Sequence, residues 1–269
     1  MIHERIYLDE NDERIWIDTY IANDRTPKPA MLVIPGGGYI SVSHFLEGEP
    51  IALDFFGRGY NAFVLNYGVK LPTDRFPKQL FDAGRAMIYI REHAEELSVI
   101  VDKVFAVGFS AGGHLCGSLA TMFDYPEVKA EFGEKARMIR PDGVILSYPV
   151  TVALENAHKG SFVNLLGKPY DELSEEQLAH VSLDLAVSEE SSPMFIWHTV
   201  GDETVPPQGS LMLAEALRRN NVPFMLNIYP YGPHAIALGT EVTKFGKESN
   251  IQPLAAVWAQ RADEWIKTL

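Results

Sequence analysis

Five residues, Gly108-Phe109-Ser110-Ala111-Gly112, constrain this 269-residue chain more than any other segment. Before them stands Lys103-Val104-Phe105-Ala106-Val107, apolar enough for a strand covered on both faces. After them Gly113-His114-Leu115-Cys116-Gly117-Ser118-Leu119-Ala120 continues as a helix. A strand that turns directly into a helix holds the serine between them in a strained bend with its hydroxyl outward. Small residues at 108, 112 and 113 let strand and helix come close. An ordinary strand-to-helix turn with a capping serine would use the same residues, so the rest of the chain has to decide.

The flanking pattern supports an α/β fold. Ile15 to Ile21 alternates as a half-buried strand does, and short apolar runs follow at Ala30–Ile34, Ala62–Leu65, Val104–Val107, Val144–Leu146, Met194–Trp197 and Phe224–Ile228. Helical spacing lies between them, at Ile51–Phe56, from Leu80 to Leu97, after Ser110, and at Leu211–Leu217. A last helix is expected to begin near Pro253. Such alternation predicts a mostly parallel central sheet flanked by helices. With no linker, repeat or low-complexity tract, residues 1–269 read as a single domain. Residues 151–192 stand apart as an insertion between two strands, with no strand pattern and eight acidic residues against two lysines. Ser174 and Gln177 there have the spacing of a capping box. An insertion of this length is a lid over a site or a contact between copies in a homo-oligomer.

A serine hydroxyl becomes a useful nucleophile only with a base to take its proton and donors to hold the oxyanion that forms. Pro35-Gly36-Gly37-Gly38-Tyr39 follows the apolar run ending at Ile34, and its glycines allow backbone N–H groups to turn inward. Gly37 or Gly38, with the N–H of Ala111, would form the oxyanion hole. A dinucleotide-binding G-x-G-x-x-G fails because Ser41 stands at its last position. Of eight histidines, only His234, in Tyr231-Gly232-Pro233-His234-Ala235, lies in a loop directly after a late strand. The carboxylate that orients it is Asp202 in Gly201-Asp202-Glu203-Thr204, with Glu203 the adjacent substitute. Tyr39, Tyr67 and Tyr148 lie near strand ends at the same edge, where they either line a substrate pocket or pack.

Composition narrows the partners. With 36 acidic against 23 basic side chains the net charge is −13, which disfavours nucleic acid and anionic membrane surfaces. The acidic insertion would border the site and disfavour anionic substrates. The single cysteine, Cys116, reads as a buried core residue and suits a reducing cytosol. No secretory leader, membrane span or His/Asp/Glu cluster with metal-site spacing is evident. The expectation is a cytoplasmic protein acting on a small molecule, with no cofactor and no metal.

PGGGY, GFSAGGHL, PMFIWHTVGDETVP and YGPH together resemble the α/β-hydrolase branch of acetyl esterases and acetyl-xylan-esterase-like proteins, related to the hormone-sensitive lipase group. The chain order Ser110, Asp202, His234 is that of α/β-hydrolases. The wider group begins its glycine loop with histidine where this chain has Pro35, so the oxyanion geometry has to be fixed by other means. The resemblance implies hydrolysis of carboxylic esters with short acyl groups, acetyl above all, with acetylated sugars or xylo-oligosaccharides among the substrates. An amide or formamide hydrolase on the same triad and a non-catalytic hydrolase-fold binding protein are the alternatives.

Overall fold

The computed structural model describes every residue of the chain except Glu155. Eight strands form one sheet: β1 (Arg5–Tyr7), β2 (Trp16–Tyr20), β3 (Lys28–Ile34), β4 (Asn61–Asn66), β5 (Val99–Phe109), β6 (Val144–Ser147), β7 (Met194–Thr199) and β8 (Phe224–Tyr229). Their order is β1-β2-β4-β3-β5-β6-β7-β8. Strands β1 and β2 pair antiparallel, as do β2 and β4, and all other neighbours are parallel.

The continuous apolar runs follow from burial on both faces. In β3, Ala30, Leu32 and Ile34 enter one core while Met31 and Val33 enter the other, the two-residue alternation of a pleated strand. The first core is closed by α2 (Lys78–Glu92), α3 (Ala111–Thr121) and α8 (Gln208–Arg219), the second by α1 (Glu49–Gly57) and α9 (Trp258–Ile266). Trp258 and Trp197 stack in the second core with ring centroids 5.3 Å apart.

Several boundaries differ from the sequence expectation, and α2 ends at Glu92 rather than Leu97. Strand β5 starts at Val99 rather than Val104, because its first residues run out past the covered sheet and are exposed from Ile100 to Lys103. The last helix starts at Trp258 rather than near Pro253. The preceding residues form turns in which the Gln252 carbonyl accepts from the N–H groups of Ala255 and Ala256.

The insertion between β6 and β7 carries short helices α5 (Lys159–Leu166), α6 (Glu175–His180) and α7 (Leu183–Ala186). Ser174 and Gln177 form the expected capping box at the start of α6. The insertion packs on α3: Leu183 lies against Gly117, and Phe162 meets the His114 ring edge-on. Pro35, Ser110, Asp202 and His234 all follow the C-terminal ends of parallel strands, where α/β sheets place their ligands.

Candidate active site

Ser110 sits between β5 and α3 with φ 53° and ψ −119°, a strained conformation for a residue with a side chain. The bend is possible because β3, β5 and α3 approach closely there: a Cβ on Gly112 would lie 2.3 Å from the Ile34 carbonyl oxygen. The serine remains 9% exposed.

The imidazole of His234 bridges the serine to an acid. Its Nε2 lies 2.8 Å from Ser110 Oγ, and its Nδ1 lies 2.6 Å from Asp202 Oδ2. Because the carboxylate only accepts, Nδ1–H donates to it and Nε2 is left to accept from the serine hydroxyl. Asp202 Oδ1 accepts from the N–H groups of Thr204 and Val205, both at 2.9 Å. Its other oxygen also receives the Nε2–H of His198, at 3.1 Å. His198 is fully buried at the end of β7, and its Nδ1 accepts from the Ser210 hydroxyl at 2.9 Å. Burial alone would raise Asp202, but the hydrogen bonds from His198 and His234, the charge of His234 and the Val205 amide outweigh it and hold the carboxyl well below the usual range. Glu203 is exposed and takes no part in this chain of bonds.

The glycine loop answers the problem raised by Pro35. Gly36 N–H donates to Glu47 Oε2 at 2.9 Å, and the Tyr148 hydroxyl donates to Glu47 Oε1 at 2.7 Å. Tyr67 donates to the Pro35 carbonyl at 2.8 Å, and Asn164 Nδ2 to the Gly38 carbonyl at 2.7 Å. Gly37 has φ +131°, and a Cβ there would lie 2.1 Å from the Ser41 carbonyl oxygen. Among the described residues, the N–H groups of Gly37, Gly38 and Ala111 donate to no protein acceptor. Glu47 is 2% exposed, and burial pushes its carboxyl up against the opposing effects of the Tyr148 hydroxyl, the nearby His234 and the Gly36 amide. Both Glu47 oxygens face donors, so it is the ionised form that satisfies the loop.

The three tyrosines do not line the cleft. Tyr39, Tyr67 and Tyr148 are each 1% exposed and lie beneath it, with their hydroxyls committed to internal partners. Tyr39 bonds His114 Nδ1 at 2.7 Å, while His114 Nε2 donates to the Val181 carbonyl at 2.7 Å. Burial lowers that imidazole to about 4. An aromatic residue at a strand end reads the same in sequence whether its ring faces solvent or core, and here the rings fill the layer that supports the loop.

The cleft itself, of about 270 Å³, is lined on one side by Gly37, Gly38, Ser110 and Glu47 and on the other by His158, Thr204 and His234. His158 comes from the insertion, as does Asn164, so this segment borders the site. None of its described acidic residues lines the cleft, which removes the expected anionic border. Burial, and then the charge of His234, lower the His158 imidazole. A larger cavity of about 750 Å³, beside Ile2, Arg25 and Ser98, lies at the opposite edge of the sheet and contains none of these groups. Among the described residues, no helix is long and apolar enough to cross a membrane.

The fold is that of an α/β-hydrolase. Among solved structures, an acetyl ester-xyloside bifunctional hydrolase from Caldicellulosiruptor lactoaceticus superposes with a TM-score of 0.83 at 31% identity, covering 98% of this chain and 96% of that one. The chain belongs to the BD-FAE family, whose model matches residues 17–217. It is 41% identical over 227 residues to endo-1,4-beta-xylanase B of Butyrivibrio fibrisolvens, and 29% identical over 215 residues to the acetylxylan esterase of Xylanibacter ruminicola. These alignments take in 82% and 78% of the chain but only 34% and 42% of those proteins, so it spans less than half the length of each.

Proposed function

We propose that the chain is a carboxylesterase that removes short acyl groups, acetyl above all, from esters of sugars or xylo-oligosaccharides through an acyl-enzyme on Ser110. The observation that carries this reading is the unbroken chain of contacts from Ser110 Oγ to His234 to Asp202 at 2.8 and 2.6 Å. His234 takes the serine proton as Oγ attacks the carbonyl carbon. The N–H groups of Gly37, Gly38 and Ala111 stabilise the oxyanion, and collapse of the intermediate breaks the ester C–O bond as His234 returns the proton to the departing alcohol oxygen. Water, deprotonated by the same imidazole, then releases the acid and frees Ser110.

The cleft beside Ser110 is small, about 270 Å³, which favours short acyl groups. The names of the relatives, a xylanase, an acetylxylan esterase and an acetyl ester-xyloside hydrolase, favour a carbohydrate alcohol. The reading is tested by kcat/KM along an aryl ester series from acetate to octanoate, run beside acetylated xylo-oligosaccharides and an acetanilide. Acetate is expected to lead the series, with the sugar acetate turned over and the anilide inert. A rise with chain length, or preference for the anilide, would contradict it.

A further inference from the structure

A second cavity adjoins the first across the imidazole. Of about 190 Å³, it shares His234 and Ala235 with the cleft but not Ser110, and is completed by Phe245, Lys247, Ser249 and Asn250 from the segment between β8 and α9. That volume is the share of about six liquid waters. Asn250 is only 6% exposed, and among the described residues its side-chain amide has no hydrogen-bond partner; only its backbone N–H is engaged, with the Lys247 carbonyl at 3.0 Å. The amide is thus left to bond water or a ligand in the open cavity. Phe245, held at φ 47°, presents a 72% exposed ring at the mouth. Lys247 is exposed and has no carboxylate partner among the described residues, whereas the half-buried Lys244 is paired with both Glu241 and Glu248.

We propose that this cavity holds the alcohol half of the ester, and that the alcohol is a sugar. The inference rests on the esterase reading above and assigns a site to its leaving group. His234 returns its proton to the alcohol oxygen, so the alcohol departs on the imidazole side, where this cavity lies, while the acyl group stays with Ser110 and the glycine loop. A polyhydroxylated ring satisfies the site: its C–H face covers Phe245, and its hydroxyls meet the Asn250 amide and the Lys247 ammonium. An alkyl alcohol would bury the amide unpaired.

The test compares kcat/KM on acetylated xylobiose with that on 4-nitrophenyl acetate for the wild type, Asn250→Leu and Phe245→Ala. Among the described residues the Asn250 side chain makes no internal hydrogen bond, and Phe245 is exposed, so both variants are expected to fold, checked by their melting transitions. The ratio of sugar to aryl acetate should fall about tenfold or more in each, the loss of one or two ligand contacts. Inhibition of aryl acetate turnover by free xylobiose should weaken in parallel. Aryl acetate turnover with a ratio within about twofold of wild type in both variants would overturn the sugar subsite and leave the esterase reading standing. A wild type inert on both esters would overturn the two together.

Discussion

The loop that follows β7 and the loop that follows β3 stand on either side of Ser110, and they are held by different means. The acid loop is largely self-supporting: Asp202 accepts from amides two and three residues further on, and His198, four residues back, adds a donor. The glycine loop is held by side chains from far along the chain, namely Glu47 eleven residues on, Tyr67, and Asn164 in the insertion, with Tyr148 behind Glu47. A self-supporting turn tolerates change elsewhere in the molecule. A loop fixed by distant side chains links the oxyanion geometry to the packing of the insertion and of the turn around Glu47.

Three substitutions probe that contrast. The largest effect belongs to Asp202→Asn, which keeps the turn but removes the acceptor that fixes the His234 tautomer; kcat on aryl acetate should fall about 10⁴-fold. It carries a stability signature as well. A carboxyl whose folded pKa is depressed stabilises the fold above its unfolded value, near 3.9, and this contribution is lost as pH falls toward the folded value. Denaturant titrations should therefore show Asp202→Asn less stable by about 2 kcal/mol at pH 7, with the gap closing below about pH 4. A gap independent of pH would mean that Asp202 is not held as described.

Glu47→Gln comes next. An amide offers one acceptor where two donors converge, so either Gly36 or Tyr148 loses its bond, and kcat should drop about ten- to a hundredfold with KM little changed. An unaltered kcat would show that the loop does not depend on Glu47. The smallest effect is expected from Asn164→Ala. Loss of one hydrogen bond to the Gly38 carbonyl, worth about 1 kcal/mol, should lower kcat about fivefold in steady-state assays. Together, a substantial loss in Glu47→Gln and a modest one in Asn164→Ala would confirm that the glycine loop is supported from a distance.

The same contrast explains what the chain's sequence reveals. Strand and helix alternation was legible because both faces of the sheet are covered, and Ser110, Asp202 and His234 because each lies in a short local signal just past an apolar strand. The supports of the glycine loop were not legible. Glu47 looks like any surface glutamate, since its role depends on Gly36 and Tyr148 meeting it in space. His198 lies within an apolar strand run and carries no signal of its own, although the carboxylate it serves is only four positions on. For Tyr39, Tyr67 and Tyr148 the sequence places the residues at the right edge of the sheet but leaves open whether their rings line a pocket or pack, because it gives a residue's position along a strand better than the depth of its ring. The cavity beside Asn250 had no signal at all, since its walls come from irregular turns between β8 and α9.

The central claim is that Ser110 becomes acylated by way of His234. Rapid quenching of the enzyme during 4-nitrophenyl acetate turnover, followed by peptide mapping by mass spectrometry, tests it most directly. One acetyl group should appear on the peptide containing Ser110, and it should be absent from Ser110→Ala and strongly reduced in His234→Ala. Acetylation at another residue, or wild-type turnover by a folded Ser110→Ala variant, would contradict the account.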